Sequence, residues 1–465
     1  MAKKKISDAI ISFEDDMSAE NVTGSCTYLE FPNTKVLLEC GMYQNNNVKT
    51  NYKINNRKFK FKPREIDYVI LPHLHADHCG LIPRLVADGF IGRLIIPVGS
   101  TKILYEMLSD SAYLNIKDAE YLNRKYDGKN FTPLYIQEHV DTLMGLIEEF
   151  PFGQRLKVNG DFDLEFLKSG HIINSASAMV YLNHGSSKKI YYTSDIGSKL
   201  TTSYYADSLE KIDSATVVIS EATYSGKDRR IKKGDREKDE EKIKSIVDMA
   251  IERNGKIVIP AFSLNRTQDM LTFLCEMDID KKIDIYVDSP LSHRVSKIYS
   301  SQYDKFKDVQ SRVKWVVSQE DSMALMGLKK PHIVVSASGM CTGGRVLHHL
   351  KNALPSKNNF IVFCGFAVEG SLAHKIKTGN QKTITIHNKR YKNSATAINL
   401  KSFSSHIQRD ELLDYLSGIN CEKIVLKHSE MSNKLEFAED LKLEISKKAR
   451  SSRVICANKS TILRV

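Results

Sequence analysis

Within six residues, His73, His75, Asp77 and His78 offer four potential metal ligands. Imidazole nitrogens suit zinc and related ions, and a carboxylate oxygen can bind or bridge a second ion. The alternative is a polar loop that happens to be rich in histidine; three imidazoles and a carboxylate this close together make that the weaker reading. The cluster follows Ile66-Asp67-Tyr68-Val69-Ile70-Leu71-Pro72, an apolar run that reads as a buried strand closed by a proline. A ligand cluster on a strand-end loop is held by a rigid sheet and stays open to substrate. The pattern is that of a metal site.

The spacing His-x-His-x-Asp-His, followed by Cys79-Gly80, resembles the signature of the metallo-β-lactamase superfamily. The resemblance implies an αββα sandwich with a two-metal hydrolytic centre, further ligands coming from later strand ends. Candidates stand in that order. Ser169-Gly170-His171 follows the alternating stretch Phe162–Leu167, and Ser194-Asp195-Ile196-Gly197 follows the strand-like Ile190–Thr193. In the superfamily these positions supply a third histidine for one metal and a carboxylate bridging both. Alone, His171 or Asp195 reads as a turn residue; only its place in the series reverses that.

The elements that must position these residues fill a chain of 465 residues, too long for one ordinary core, so about two to three domains are expected. Hydrophobic residues make up 42% and charged residues 27%, the balance of a soluble globular protein. No apolar run approaches the roughly 18 residues of a membrane span, so no membrane association is expected. Met1-Ala2-Lys3-Lys4-Lys5-Ile6 is basic with no apolar stretch behind it, so no secretory leader is expected. Eight scattered cysteines without a Cys-x-x-Cys pair fit reduced thiols in a cytoplasm. The net charge of +12 can attract nucleic acid, but with lysines spread along the chain it is a weak pointer by itself.

Residues 1–225 mix short strands, turns and helical stretches. Lys35–Leu38 is a strand running into Glu39-Cys40-Gly41, and Thr101–Leu122 has helical spacing. A charged connection, Asp228–Arg236, then leads to a helix with an apolar face at Ile243, Ile246, Val247, Ala250 and Ile251, ended by Asn254-Gly255. Strands at 256–260, 283–287, 332–336 and 360–364 alternate with helices around 267–276, 293–303 and 344–352. That alternation argues for a parallel α/β sheet in a second domain over 226–395. Beyond it a helix at 410–416 and the strand Lys423–Leu426 lead to Lys427-His428-Ser429-Glu430, another histidine on a strand end. The second domain therefore reads as inserted into the first, which is expected to resume over 396–465.

A sandwich interrupted in this way resembles the β-CASP family of nucleases, and the likeness covers nearly the whole chain. It rests on Val22-Thr23-Gly24-Ser25-Cys26, Ser220-Glu221-Ala222-Thr223-Tyr224, Pro260–Arg266, Val287-Asp288-Ser289-Pro290-Leu291, Ser338–Arg345, Phe403-Ser404-Ser405-His406 and Lys427-His428-Ser429-Glu430. The resemblance implies that His73, His75 and His171 bind one metal, that Asp77, His78 and His428 bind another, and that Asp195 bridges them. Two zinc ions are implied, with manganese the alternative. It also implies catalytic roles for Asp77, for Glu221 as the motif A acid and for His406 as the motif B histidine. Metals cannot protonate a leaving 3′-oxygen; a histidinium oriented by a carboxylate can.

Ser338, Gly339, Thr342 and Gly343 lie in a Gly-rich turn between a strand and a helix, where backbone N–H groups favour phosphate. Arg266, opening a helix after a strand, could meet an RNA backbone or pair with an acidic neighbour. Two departures from the family pattern stand out. Glu39 replaces the usual aspartate, one methylene longer, at a position that supports the metal ligands; Gln408 replaces the aspartate two residues after the motif B histidine. The other histidines, His348 and His349 among them, read as packing or surface residues. The reading is a two-metal ribonuclease leaving 5′-phosphate and 3′-hydroxyl ends, in the cytoplasm, with RNA as its partner and a homodimer compatible with it. The rivals are an inactive RNA-binding scaffold and a small-molecule metallo-hydrolase of the same fold.

Overall fold

The computed structural model describes residues 9–45, 47–183, 187–201, 203–226, 231–365, 367 and 370–465. The basic start of the chain, and residues 228–230 of the charged connection, lie outside them. Consecutive buried residues along Lys35–Leu38, Tyr68–Ile70 and Arg93–Pro97 demand cover on both faces of a sheet. Val36, Leu38, Ile70 and Ile95 enter one core cluster, while their neighbours Leu37, Val69, Leu94 and Ile96 are also buried.

The chain divides into two compact units. The first comprises Met1–Lys199, Ala206–Arg230 and Ser405–Val465. It contains two seven-stranded sheets. One runs, in spatial order, Ile462–Arg464, Ile10–Ser12, Thr27–Glu30, Lys35–Leu38, Tyr68–Ile70, Arg93–Pro97 and Ile147–Phe150. The other runs Arg453–Cys456, Lys423–Lys427, Val217–Glu221, Lys189–Tyr192, Ala176–Leu182, Phe162–Lys168 and Leu156–Lys157. Their facing sides share one apolar core, from Ile11, Leu29 and Val36 to Phe166, Val180 and Ile219. The far side of the second sheet is covered by Leu412 and Leu416 of the helix Arg409–Gly418 and by Phe437 and Leu441 of the helix Met431–Lys447. The helices Ile82–Ala87, Thr101–Lys125 and Gln137–Met144, which also belong to this unit, carry the buried Leu85, Ile103, Leu104, Val140 and Leu143. This is the αββα sandwich.

The second unit comprises Leu200–Tyr205 and Ile231–Ser404. Six strands pair in the order Lys314–Val316, Asp284–Asp288, His332–Ser336, Lys256–Pro260, Phe360–Phe363 and Thr396–Asn399, every pair parallel. The last strand corrects the expected return to the sandwich at 396. Its ladder, Phe360↔Thr396 to Phe363↔Asn399, holds it in the inserted sheet, and the chain rejoins the first unit only at Ser405. Leu200–Tyr205 also belongs to this unit: Asp269 accepts from the Tyr204 N–H at 3.0 Å, and the hydroxyls of Tyr205 and Thr272 meet at 2.6 Å. Among the described residues no helix is long and apolar enough to cross a membrane.

Candidate metal centre

Short parallel strands end on one edge of the first unit, and the site is built on their ends. After Tyr68–Ile70 the chain turns through His73 and His75 into the one-turn helix Ala76–Cys79. Neighbouring strand ends clamp that turn: the Asp77 carbonyl accepts from Ser25 N–H at 2.9 Å, and the His78 carbonyl from Cys40 N–H at 2.9 Å. The approach is so close that a Cβ on Gly41 would sit 1.7 Å from the Asp77 carbonyl oxygen, so only glycine fits there. Gly197 is equally committed, 1.8 Å by the same measure from the Gly170 oxygen, which locks the Asp195 turn against the His171 turn.

Three residues of the site hold left-handed backbone: Glu39 (φ 66°), Ser194 (φ 50°) and His428 (φ 58°). Each such conformation costs about 1 kcal/mol or more in a non-glycine residue and persists where surroundings over-determine it. The His428 N–H, for example, donates to the Ser18 carbonyl at 2.6 Å.

Asp195 is the hub. Its Oδ2 lies 3.6 Å from His73 Nε2, 3.3 Å from His78 Nε2 and 3.7 Å from His171 Nε2, while Oδ1 lies 3.7 Å from His428 Nδ1. Asp77 Oδ2 is 3.7 Å from His78 Nε2 and 3.6 Å from His428 Nε2. His75 Nδ1 is 3.4 Å from His171 Nε2. Four ligand-sized groups result among the described residues, two of which are the expected ligand sets: His73–His75–His171–Asp195 and Asp77–His78–His428, all buried except the half-buried His75 and Asp77.

The second ring nitrogen of several histidines is fixed from outside the cluster. Ser194 Oγ meets His73 Nδ1 at 3.1 Å, Glu39 Oε2 meets His78 Nδ1 at 2.7 Å, and Thr223 Oγ1 meets His428 Nδ1 at 2.9 Å. Such outer partners set the tautomer and orientation of metal-binding imidazoles. Sequence reasoning misses Ser194 and Thr223, although each stands within two residues of Asp195 or Glu221.

The donor set fits a metal. His73 Nε2, His78 Nε2, His171 Nδ1, His428 Nε2 and Asp195 Oδ1 are buried polar atoms with no hydrogen-bond partner. One such atom is costly, and five in one cluster demand a common partner. The charges agree. Burial, then the charges of neighbouring imidazoles, hold His73, His75 and His171 below the ordinary histidine range, His75 at about 3, so they are neutral as ligands must be. Burial opposes ionisation of Glu39, Asp77 and Asp195, but the imidazoles beside them outweigh it and hold all three carboxyls low. At His78 burial is overcome by those same carboxylates, which raise its pKa. Three carboxylates ionised this close together suit a bound cation.

His406 stands differently. Its Nδ1 lies 3.1 Å from Glu221 Oε2 and 3.9 Å from Asp195 Oδ2. The backbone fixes it, because Gly197 and His406 form a bridge and Ile407 N–H donates to the Ile196 carbonyl at 2.8 Å. Burial disfavours its charge, yet Glu221 and then Asp195 raise its pKa. With 21% of its side chain exposed, against 1% for His171, it is accessible from outside the cluster.

The remaining sequence candidates lie in the second unit. Arg266 opens the helix Arg266–Glu276. Ser338 Oγ and Thr342 Oγ1 meet at 3.2 Å across the Gly-rich turn, and Gly339 faces the ring of Phe262. Arg345 anchors that turn by donating to Asp288 Oδ1 at 2.7 Å. His349, expected to be a packing or surface residue, meets Asp288 Oδ2 at 2.6 Å.

Comparison with known proteins matches three family models along the chain. Residues 20–158 match the metallo-beta-lactamase superfamily, 267–376 the Beta-Casp domain, and 391–452 a Zn-dependent metallo-hydrolase RNA specificity domain. Ribonuclease TTHA0252 of Thermus thermophilus is 30% identical over 92% of this chain and 95% of its own length. Transcription termination factor FttA of Methanocaldococcus jannaschii is 27% identical over 91% of this chain and 68% of its own. A crystal structure of a protein of unknown function from Enterococcus faecalis superimposes with a TM-score of 0.54 over 98% of this chain and 100% of that one, at 10% identity, a likeness of fold. The chain belongs to the β-CASP family of metallo-β-lactamase-fold proteins, which carry a metal cofactor.

Proposed function

We propose that this protein is a metal-dependent ribonuclease of RNA processing or decay, hydrolysing phosphodiesters to 5′-phosphate and 3′-hydroxyl ends. The observation that carries the reading is the convergence of His73, His78, His171 and His428, each with a buried partnerless ring nitrogen, around Asp195, beside the His406–Glu221 pair. The names of its relatives, a ribonuclease and a transcription termination factor, support RNA as the substrate. In this reading the cofactor is two zinc ions, with manganese the alternative. His73, His75 and His171 would hold one ion, Asp77, His78 and His428 the other, and Asp195 both. Such ions, when bound, acidify water and neutralise charge growing on a phosphate.

The chain's own residues do the rest. Ser194, Glu39 and Thr223 aim the ligand imidazoles. Glu221 holds His406 at Nδ1 and favours its protonated form, leaving Nε2 to present a proton to the leaving 3′-oxygen. Arg266, with Ser338, Gly339, Thr342 and Gly343, would meet the phosphate backbone. The eight free thiols suit a cytoplasmic setting.

The test combines elemental analysis with digestion of one RNA labelled at either end. About two metal equivalents are expected. Mononucleotide release marks a 5′-exonuclease and discrete internal cuts an endonuclease. Asp77→Ala should stay folded, lose metal and lose hydrolysis. Wild-type turnover by a folded, metal-depleted variant would sink the mechanism.

A further inference from the structure

The net charge is concentrated in one stretch, contrary to the expectation that the lysines are spread along the chain. Between Ser322 and Gln408 stand twelve Lys and Arg residues and a single acid, Glu369, so this stretch carries +11 of the chain's +12. Glu369 lies outside the described residues.

The fold puts four of these cations on or beside one hairpin of the second unit. Thr383–Ile386 pairs antiparallel with Lys389–Lys392, with Ile384 opposite Tyr391 and Thr385 opposite Arg390. His387 and Asn388 turn the chain with φ of 48° and 62°, the two-residue geometry that suits strand twist. Alternation then separates the faces. Ile384 and Ile386, 1% and 2% exposed, enter the apolar core with Tyr391 packed alongside. The opposite face carries Thr383, Thr385, Arg390 and Lys392, all exposed. Lys382 and Lys389 fall on the side of Ile384 and Ile386 but stand at the strand ends, where they too are exposed. Lys375 is exposed on the adjoining helix Leu372–Thr378.

A charged strand face is usually just a solvated one. Here the cations lack counter-charges: among the described residues no carboxylate pairs with Lys375, Lys382, Lys389, Arg390 or Lys392. Some lysines elsewhere are neutralised on their own helices, as Lys117 by Glu120 at 3.1 Å, Lys442 by Glu439 at 2.6 Å and Lys447 by Glu444 at 2.6 Å. Burial, then the charge of Lys351, hold the His387 imidazole below its ordinary range. Uncompensated cations interleaved with hydroxyls suit phosphate oxygens. A membrane-surface site would add large apolar side chains for insertion, and the outward residues here are Thr, Arg and Lys.

We propose that the exposed surface of the 383–392 hairpin, with Arg390 and Lys392 on its outward face and Lys382 and Lys389 at its strand ends, binds the sugar-phosphate backbone of the RNA substrate, independently of base sequence. The proposal rests on the reading of RNA as substrate. It adds a grip on the inserted unit that the metal ligands do not provide.

The test uses the metal-loaded full chain carrying Lys382→Gln, Lys389→Gln, Arg390→Gln and Lys392→Gln together. Affinity for a long single-stranded phosphorothioate RNA is measured by anisotropy across a salt series. The slope of log affinity against log salt should become shallower by ~0.7 for each phosphate no longer neutralised, up to ~3 for all four. The Arg390→Gln/Lys392→Gln variant should show about half that change, which covers the case of a poorly folded quadruple variant. Lys442→Gln/Lys447→Gln, removing paired lysines, should leave the slope as in wild type. On cleavable RNA, the loss in kcat/KM should be about tenfold greater for a long substrate than for a trinucleotide. Equal slopes for wild type and both hairpin variants overturn the proposal. So does hairpin-dependent sedimentation with phosphatidylserine vesicles at unchanged RNA slope, which would make the face a membrane site. Failure of the ribonuclease reading would look different: wild type would leave RNA intact, while the slope comparison still decides whether the hairpin grips a polyanion.

Discussion

Lys427 and Glu39 are joined through two shared hydroxyls. Lys427 Nζ donates to Ser25 Oγ at 2.8 Å and lies 3.3 Å from Tyr192 OH. Both hydroxyls donate to Glu39 Oε2, the one from Tyr192 at 2.6 Å. The same oxygen meets His78 Nδ1. An ammonium has donors only, so hydroxyls that accept from it direct their own protons onward to the carboxylate. Asp16, 2.6 Å from Lys427 Nζ, balances the buried charge. The route from Asp16 to His78 is thus a continuous chain of hydrogen bonds that holds one metal-facing imidazole in place.

The longer side chain of Glu39 matters because this network is spaced for it. Its Oε1 accepts from Ser194, while Oε2 accepts from Ser25 and Tyr192 and meets His78. Glu39→Asp, although it restores the family's usual residue, should forfeit part of that set. Outer-partner losses of this kind cost about 10–100-fold in metal affinity or activity. Competition with a chelator measures it, and an affinity equal to wild type would show that side-chain length is immaterial here.

Lys427→Met should destabilise the first unit by about 3–5 kcal/mol, because it strands the buried Asp16 carboxylate. Adding Asp16→Asn should recover much of the loss. Denaturant midpoints of the two single variants and the double variant decide; additive losses would mean that the pair is not coupled.

Much of this is legible in the sequence because it is local. His73 to His78 lie on one turn, strand-end positions recur for His171, Asp195 and His428, and helix–strand alternation announces the inserted sheet. The missing parts are long-range. Nothing near Lys427 says that it meets Asp16 and Ser25, some four hundred positions earlier. Thr396–Asn399 reads as the start of the returning sandwich until its pairing with Phe360–Phe363 is seen. The hairpin at 383–392 escapes a sequence reading because its turn residues, His387 and Asn388, form no Asn-Gly pair. Its charge escapes because a whole-chain count of lysines averages it away.

Asp288 should make the second unit acid-sensitive. Burial alone would raise its pKa, but hydrogen bonds from His349, Ser322 and Arg345 outweigh it and lower it. A depressed carboxyl contributes stability that is present above its unfolded pKa of roughly 3.9 and is lost as pH falls through the folded value. Asp288→Asn should therefore cost about 3 kcal/mol near neutrality, and the gap to wild type should close below about pH 4. Melting curves across that range test it; a gap independent of pH would assign the effect to packing.

His406 should matter to the leaving group and not to the metals. It is held by Glu221 and the Gly197 bridge, and its Nδ1 is turned to the carboxylates. His406→Ala should keep both metals and bind RNA nearly as wild type, yet lose about 10²–10⁴ in rate, the usual range for a positioned acid. An RNA with sulfur in place of the leaving 3′-oxygen needs no proton, because a thiolate is a stable leaving group. It should recover much of that loss. Glu221→Gln, which keeps the side chain's shape but removes its charge, should show the same selective rescue with a smaller defect, since it acts only by favouring the imidazolium. Single-turnover cleavage of matched oxygen and sulfur substrates, with metal analysis of each protein, separates the possibilities. Equal defects on both substrates, or a metal lost from the His406 variant, would reject the acid role and make His406 a ligand or a structural residue instead.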